Sequence, residues 1–359
     1  MSISKIGLYR LTSLAVVVVL ACRPDASQTA QPESVTQVSP TENTPSETFE
    51  QPVEETPPSA SESEMSEAEK KQRMVEDRIE KFESLAKEEL VRWTPELRET
   101  AAKLASKKYS SMDAAIKAAL ASPHRSTGNS DRDQFRHPLE TVKFFGIKPT
   151  HTVIELGAGA GWYTELLAPA LLQSGKLIIA SADPNGPADS MGRAYATRIK
   201  LFLEKSPELY GKVETRIIYP PEAIELGPEG SVDFVMAARE MHNWVEKDHQ
   251  GAYLKAIHQV LKPKGHFAVV QHRAAEGANP QESVKLGYLP EAWLVEQIEA
   301  AGFKLKKKSE INANPKDRKN YEKGVWTLPP ALIEGENNRQ EYLDIGESDR
   351  STLLFVKQG

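Results

Sequence analysis

One stretch constrains this chain more than any other. VIELGAGAGWYTELL, Val153 to Leu167, runs from an apolar segment through glycines at 157, 159 and 161 into a helical pattern. Glycine at a strand-to-helix turn permits positive φ and removes side chains that would keep a ligand from the backbone. Such a turn, at the carboxyl end of a strand, is where a nucleotide-like ligand meets main chain. A dinucleotide site spaces its glycines G-x-G-x-x-G and needs the third at position 162. Trp162 stands there, which disfavours NAD.

The remainder of the chain beyond Pro123 says what sheet surrounds that turn. THTVIEL, KLIIASADP, KVETRIIY, SVDFVMAAR and GHFAVVQHR read as strands. Between them, Trp162 to Leu172, SMGRAYATRIKLFLEKS and HQGAYLKAIHQVLKP read as helices, LPEAWLVEQIEAAGF as another, and STLLFVKQ closes the chain. Continuous Val/Ile/Leu runs indicate strands buried on both faces. Their alternation with helices predicts a doubly wound α/β fold.

IELGAGAG resembles the first motif of class I S-adenosylmethionine-dependent methyltransferases, in which an acidic residue two before the glycines follows an apolar strand. The resemblance implies a Rossmann-like sheet with a closing antiparallel strand, which STLLFVKQ fits, and S-adenosylmethionine as cofactor. It gives Glu155 the cofactor's amino group to orient and lays Gly157, Gly159 and Gly161 against its methionine part. It gives Asp183, 22 residues past Gly161, the ribose hydroxyls. A carboxylate can accept from two vicinal hydroxyls at once, which suits that residue type. The family's frequent polar contact to adenine after the third strand has no clear counterpart in YPPEAIEL, and Glu222 is not assigned to it. RDQFRHPLETVKFFGIKP, GWYTELLAP and a late AAGF are similar to a group of bacterial methyltransferases, many of them exported. The resemblance covers about Pro123 to Gly359 and implies fold and cofactor better than substrate.

Methyl transfer is an in-line displacement at an already activated sulfonium methyl. The protein therefore aligns a nucleophile and, where required, removes its proton. Groups for that work belong at the ends of strands four and five. There AAREMHNW brings Arg239, Glu240, His242, Asn243 and Trp244, and QHRAAEG brings Gln271, His272 and Arg273. His242 is the candidate base, since an unperturbed imidazole titrates at ~6.5; helix capping is its structural alternative. His272 is a second candidate, and Arg239 at a buried strand end needs an acidic partner or a ligand. Arg136 and His137 precede PLETVKFFG, a helix that could close over the cofactor or simply be fixed by them. NPPY-type motifs are absent and the lone cysteine is Cys22, so DNA methylation is disfavoured. No metal-ligand spacing is present, and no metal is expected. The acceptor expected is a small molecule. The rival from another class is a non-catalytic binder of a nucleoside-like ligand in the same pocket, with a dehydrogenase more distant.

The N-terminal part reads as an address. Lys5 and Arg10 precede the apolar run Leu11 to Ala21, 11 residues against the ~20 that span a bilayer. It ends in Val19-Leu20-Ala21-Cys22, which resembles a bacterial lipoprotein cleavage site. That resemblance implies a signal peptide over 1–21, lipidation of Cys22, and an exported protein anchored on the periplasmic face or cell surface. Residues 22–62 are rich in Pro, Ser, Thr and Glu with one aromatic, Phe49, and read as a disordered tether. A helical extension over 63–122 follows. Met74, Val75, Ile79, Phe82, Leu85, Leu90 and Trp93 fall near helical spacing, Pro95 opens a second helix and Ser111 caps a third. It carries no clustered His, Cys or carboxylate site, and no obligate protein partner is evident. Residues 123–359 form the methyltransferase-like domain.

The net charge of −6 is misleading, because residues 24–69 hold 11 acids and no Lys or Arg. Residues 70–359 hold 42 bases and 40 acids, and nothing argues for a nucleic-acid surface. KLKKK, Lys304 to Lys308, reads as a solvated edge. If Cys22 is the anchor, Cys22→Ala should move the protein from membranes to the soluble fraction on cell fractionation. Wild-type protein found wholly in the cytosol would overturn the export reading.

Overall fold

The computed structural model describes residues 65–359. The expected signal peptide, Cys22 and the tether lie outside the described residues. Ser66 opens the first helix with a capping box: its hydroxyl accepts the Glu69 N–H, and the Glu69 carboxylate accepts the Ser66 N–H. That helix is α1 (Glu67–Val91), followed by α2 (Pro95–Ser106) capped by Thr94 and α3 (Met112–Leu120) capped by Ser111. Next come α4 (Asp133–Arg136), α5 (Pro138–Phe145), β1 (Thr152–Leu156), α6 (Thr164–Leu171), β2 (Lys176–Ser181) and α7 (Met191–Glu204). The chain continues through α8 (Pro207–Tyr210), β3 (Glu214–Ile217), β4 (Val232–Ala238), α9 (Met241–Glu246), α10 (Gln250–Val260) and β5 (Leu261–His272). It ends with α11 (Pro280–Ser283), α12 (Glu291–Ala300), β6 (Phe303–Ser309), α13 (Arg339–Ile345) and β7 (Arg350–Lys357).

The strands form one seven-stranded sheet in the order β3-β2-β1-β4-β5-β7-β6. Strands β1 to β5 are parallel, and β7 runs antiparallel between β5 and β6. This is a doubly wound, Rossmann-like sheet with one antiparallel strand, as the sequence led us to expect. Its order reverses beside β1, which lies between β2 and β4, and ligands of open α/β sheets sit at the carboxyl ends of strands at such a point. The glycine turn follows β1 directly.

Successive residues of the central strands alternate between two cores. Val153, Phe234, Met236 and Val270 face one core, and Ile154, Val235, Ala237 and Val269 the other. The first of these includes Leu97, Ala101, Met112 and Ile116 together with Leu166 and Leu171 of α6. Helices α2 and α3 therefore share a core with the sheet. Helix α1 buries only Val75 and Phe82, against Ala194 of α7, with Arg198 4.6 Å over the Phe82 ring. No described helix is long and apolar enough to cross a membrane.

Three features differ from or extend the sequence reading. Helix α6 starts at Thr164, with Trp162 and Tyr163 buried in the turn before it. KLKKK lies in the edge strand β6, where exposed lysines oppose the pairing of a further strand. Residues 310–349, between β6 and β7, cross the carboxyl ends of β4 and β5 and reach α4, as the contacts below show.

Candidate functional site

Gly157, Gly159 and Gly161 have φ of 65°, 59° and 80°, all in the left-handed region that glycine enters without strain. Their surroundings differ. A Cβ on Gly161 would come within 2.7 Å of the Phe202 ring, so this glycine lets α7 pack against the turn. A Cβ on Gly157 would overlap the Glu240 side chain. One on Gly159 would meet nothing nearer than the Gly157 carbonyl oxygen at 4.0 Å. Gly159 is the open position of the turn. Trp162, where a dinucleotide site would have glycine, is buried, donates to the Asn129 carbonyl (3.0 Å) and carries Arg136 4.8 Å over its ring. It serves the segment before α5.

Two carboxyls flank the turn. Glu155 in β1 is buried and accepts the Thr164 hydroxyl (2.8 Å), and burial pushes its carboxyl up to about 7. Glu240 follows β4, accepts the Asn243 amide (3.3 Å), and is likewise pushed up to about 7 by burial. Among the described residues neither has an ion-pair partner. A carboxyl whose folded pKa is raised contributes stability that is full below its unfolded value and is lost as pH rises through the folded one. For Glu155 that window runs from 4.5 to about 7, and the loss is about 3 kcal/mol at most. Urea melts at pH 5 and 7.5 should show the decline, and Glu155→Gln should reduce it. An identical pH slope in the variant would show that Glu155 ionises freely.

Asp183 lies just past β2, half-buried. Its carboxylate accepts the Asn185 N–H (2.8 Å) and the Tyr219 hydroxyl (2.9 Å), which hold it at the strand end with acceptor capacity to spare. It touches none of the histidines or arginines proposed from the sequence. Those form a second group, at the ends of β4 and β5.

Arg239 follows β4 with φ 62°, a left-handed conformation uncommon outside glycine, and its N–H donates to the Val270 carbonyl (2.6 Å). His242 begins α9, buried, with its ring 5.5 Å from His272 and 6.1 Å from Trp326 between centroids. Its Nδ1 lies 3.3 Å from Gln271 Nε2, which also donates to the Gly287 carbonyl (3.2 Å). That second bond fixes the amide, so Nδ1 accepts and the ring proton sits on Nε2. Burial pushes His242 down to about 4, and it is neutral at physiological pH. His272, buried at the end of β5, is pushed well below the usual imidazole range by the same cause, and its Nδ1 lies 2.5 Å from the Ser348 hydroxyl.

Glu347 completes this group. It accepts from Arg136 Nε (2.9 Å to each oxygen), Arg132 Nε (2.8 Å) and Arg350 Nη1 (2.8 Å). Despite burial, the surrounding guanidiniums hold it well below the usual carboxylate range. His137, with φ 40°, turns the chain between α4 and α5 and so places Arg136 inward. Sequence reasoning named Arg136, His137, Arg239, His242 and His272 but missed Arg132, Trp326, Glu347, Ser348 and Arg350. The charged GESDR before the closing strand was the available signal. Among the described residues no three His, Cys, Asp or Glu side chains converge as a metal site.

No family model matches the chain, and no curated protein matches it. Among solved structures the chain is similar to an S-adenosylmethionine-dependent methyltransferase from Aquifex aeolicus: 18% identity over 70% of this chain and 100% of that one, TM-score 0.42. It is similar to the Burkholderia thailandensis 1,6-didemethyltoxoflavin-N1-methyltransferase, solved with 1,6-didemethyltoxoflavin and S-adenosylhomocysteine, at 17% identity over 64% and 80%, TM-score 0.37. It is also similar to the [4+2]-cyclase SpnF at 15% identity over 62% and 80%, TM-score 0.42. At such identities and scores these likenesses carry no activity or ligand over to this chain.

Proposed function

We propose that this protein transfers a methyl group from S-adenosylmethionine to a small-molecule acceptor. The observation that supports it most is the open face of Gly159 in a turn flanked by buried Glu155 and half-buried Glu240, neither of which forms an ion pair among the described residues. A ligand with a positively charged amino-acid end suits that pair, and vicinal hydroxyls suit Asp183 at the end of the neighbouring strand. In this reading Glu155 and Glu240 orient the charged end, Gly159 admits it to the backbone, and Asp183 fixes the ribose. The cofactor supplies an electrophilic methyl on a sulfonium.

The acceptor's side is assigned to the ends of β4 and β5. Arg239, His242 and His272 lie there, and Trp326 and Ser348 wall them. With its proton on Nε2, His242 presents a donor that would orient an acceptor oxygen; service as a base requires Gln271 to turn over. Calorimetric titration of the full chain with S-adenosylmethionine, S-adenosylhomocysteine and NAD tests the reading. Binding of the first two without NAD is expected, and failure of both would sink it.

Once an acceptor is in hand, His242→Ala should slow turnover ~10²–10³-fold, the usual loss of one orienting donor, while leaving cofactor affinity nearly intact. His242→Gln, which still donates but takes up no proton, should recover part of that loss. Because the imidazole titrates near 4, no histidine inflection is expected between pH 5.5 and 8. Equal loss in both variants would restore the role of base.

A further inference from the structure

Four guanidiniums, those of Arg132, Arg136, Arg239 and Arg350, gather around Glu347, each near enough to feel its charge. Three of them bond it directly. Arg239 makes no hydrogen bond or ion pair through its side chain among the described residues, although it lies within electrostatic reach of Glu347, Arg132 and Arg350. The other acid that Arg239 feels is Glu240, which lies against Gly157.

Positive charge therefore exceeds negative in a place largely removed from water. Arg136 and Arg350 are 2% and 3% exposed, and Arg136 Nη2, Arg350 Nε and Arg132 Nη2 are buried without a partner. Buried guanidinium nitrogens are expensive to leave unbonded, and an uncompensated buried charge more so. A clamp that only had to fix residues 310–349 would need one arginine for one glutamate. The surplus falls beside His242 and His272, whose rings are uncharged and add no further positive charge.

We propose that the methyl acceptor is an acid, whose carboxylate or phosphate is held by Arg239 and Arg136 at the ends of β4 and α4. Planar guanidiniums bind such oxyanions through paired N–H donors, and the arrangement offers both spare donors and spare charge. The inference rests on the methyl-transfer reading and names the substrate class for that same site. The anion neutralises the guanidiniums as it enters.

The test uses the full chain with inorganic phosphate and benzoate as probes at constant ionic strength, followed by calorimetry and thermal melting. S-adenosylhomocysteine is titrated in parallel. Saturable binding of at least one anion is expected, with affinity about tenfold or more weaker in Arg239→Gln. Arg239 bonds nothing through its side chain, so that variant should melt close to wild type without anion. Preference for phosphate or for benzoate tells a tetrahedral from a planar head group. S-adenosylhomocysteine binding with neither anion bound, or equal anion affinity in Arg239→Gln, overturns the acidic acceptor and leaves methyl transfer standing. Anion binding without S-adenosylhomocysteine binding overturns the methyl-transfer reading, and the acceptor assignment falls with it.

Discussion

Glu347→Gln is expected to lower the unfolding free energy by about 3–5 kcal/mol, the usual loss when one partner of a buried ion pair is removed. The substitution keeps size and shape but leaves Arg132, Arg136 and Arg350 around a neutral amide. The side chain is 3% exposed, so solvent offers little screening. Glu310 is the control. It too pairs with an arginine, Arg273, but is 62% exposed, and Glu310→Gln should cost less than about 1 kcal/mol. Urea midpoints at unchanged m give both values. Equal effects would mean that the buried group is no more than a surface contact.

Gly159→Val should weaken S-adenosylmethionine binding at least tenfold while leaving a folded protein. The backbone there has φ 59°, where a residue with a Cβ is strained by about 1–2 kcal/mol. The protein itself leaves room, since the nearest atom to an added Cβ is 4.0 Å away. The new side chain would fill the space assigned to the ligand. Gly161→Ala should do the reverse, because its Cβ would press on the Phe202 ring at 2.7 Å, and the expected loss is in stability. Asp183→Ala, which removes a charged acceptor from the proposed ribose contact, should also weaken binding about tenfold or more. Calorimetry on folded variants decides. Unchanged affinity in Gly159→Val would detach the turn from the cofactor, and unchanged affinity in Asp183→Ala would detach that carboxylate.

What was legible in the sequence was what short-range pattern encodes. The apolar run into three glycines located β1 and its turn, and repeated strand–helix alternation located the sheet, because each element carries its own periodicity. The start of α6 was misplaced by two residues, since Trp162 has helix-compatible neighbours yet is drawn into the core by Asn129 and Arg136. Glu240 stood in a polar string that was noticed, but its position against Gly157 depends on the pairing of β1 with β4. Of the residues bonded to Glu347 only Arg136 was singled out in the sequence, and its pairing with Glu347 was not. Its partners Arg132 and Arg136 lie more than 200 residues earlier, and residues 310–349 carry no periodicity that could announce them.

The route of residues 310–349 divides the molecule's labour along the chain. The proposed cofactor face is made by β1, β2 and the loop after β4, whereas much of the wall on the acceptor's side, from Trp326 to Ser348, comes from one uninterrupted insertion between two antiparallel strands. Its ends are fixed by β6 and β7, which pair with each other whatever lies between them. Asn312 and Glu347 tie that insertion to Thr141, Arg132 and Arg136, so its length and content can vary only in the part between them that leaves those contacts in place. If the proposed methyl transfer holds, changes confined to that part would alter which acceptor is taken while leaving the cofactor's side untouched.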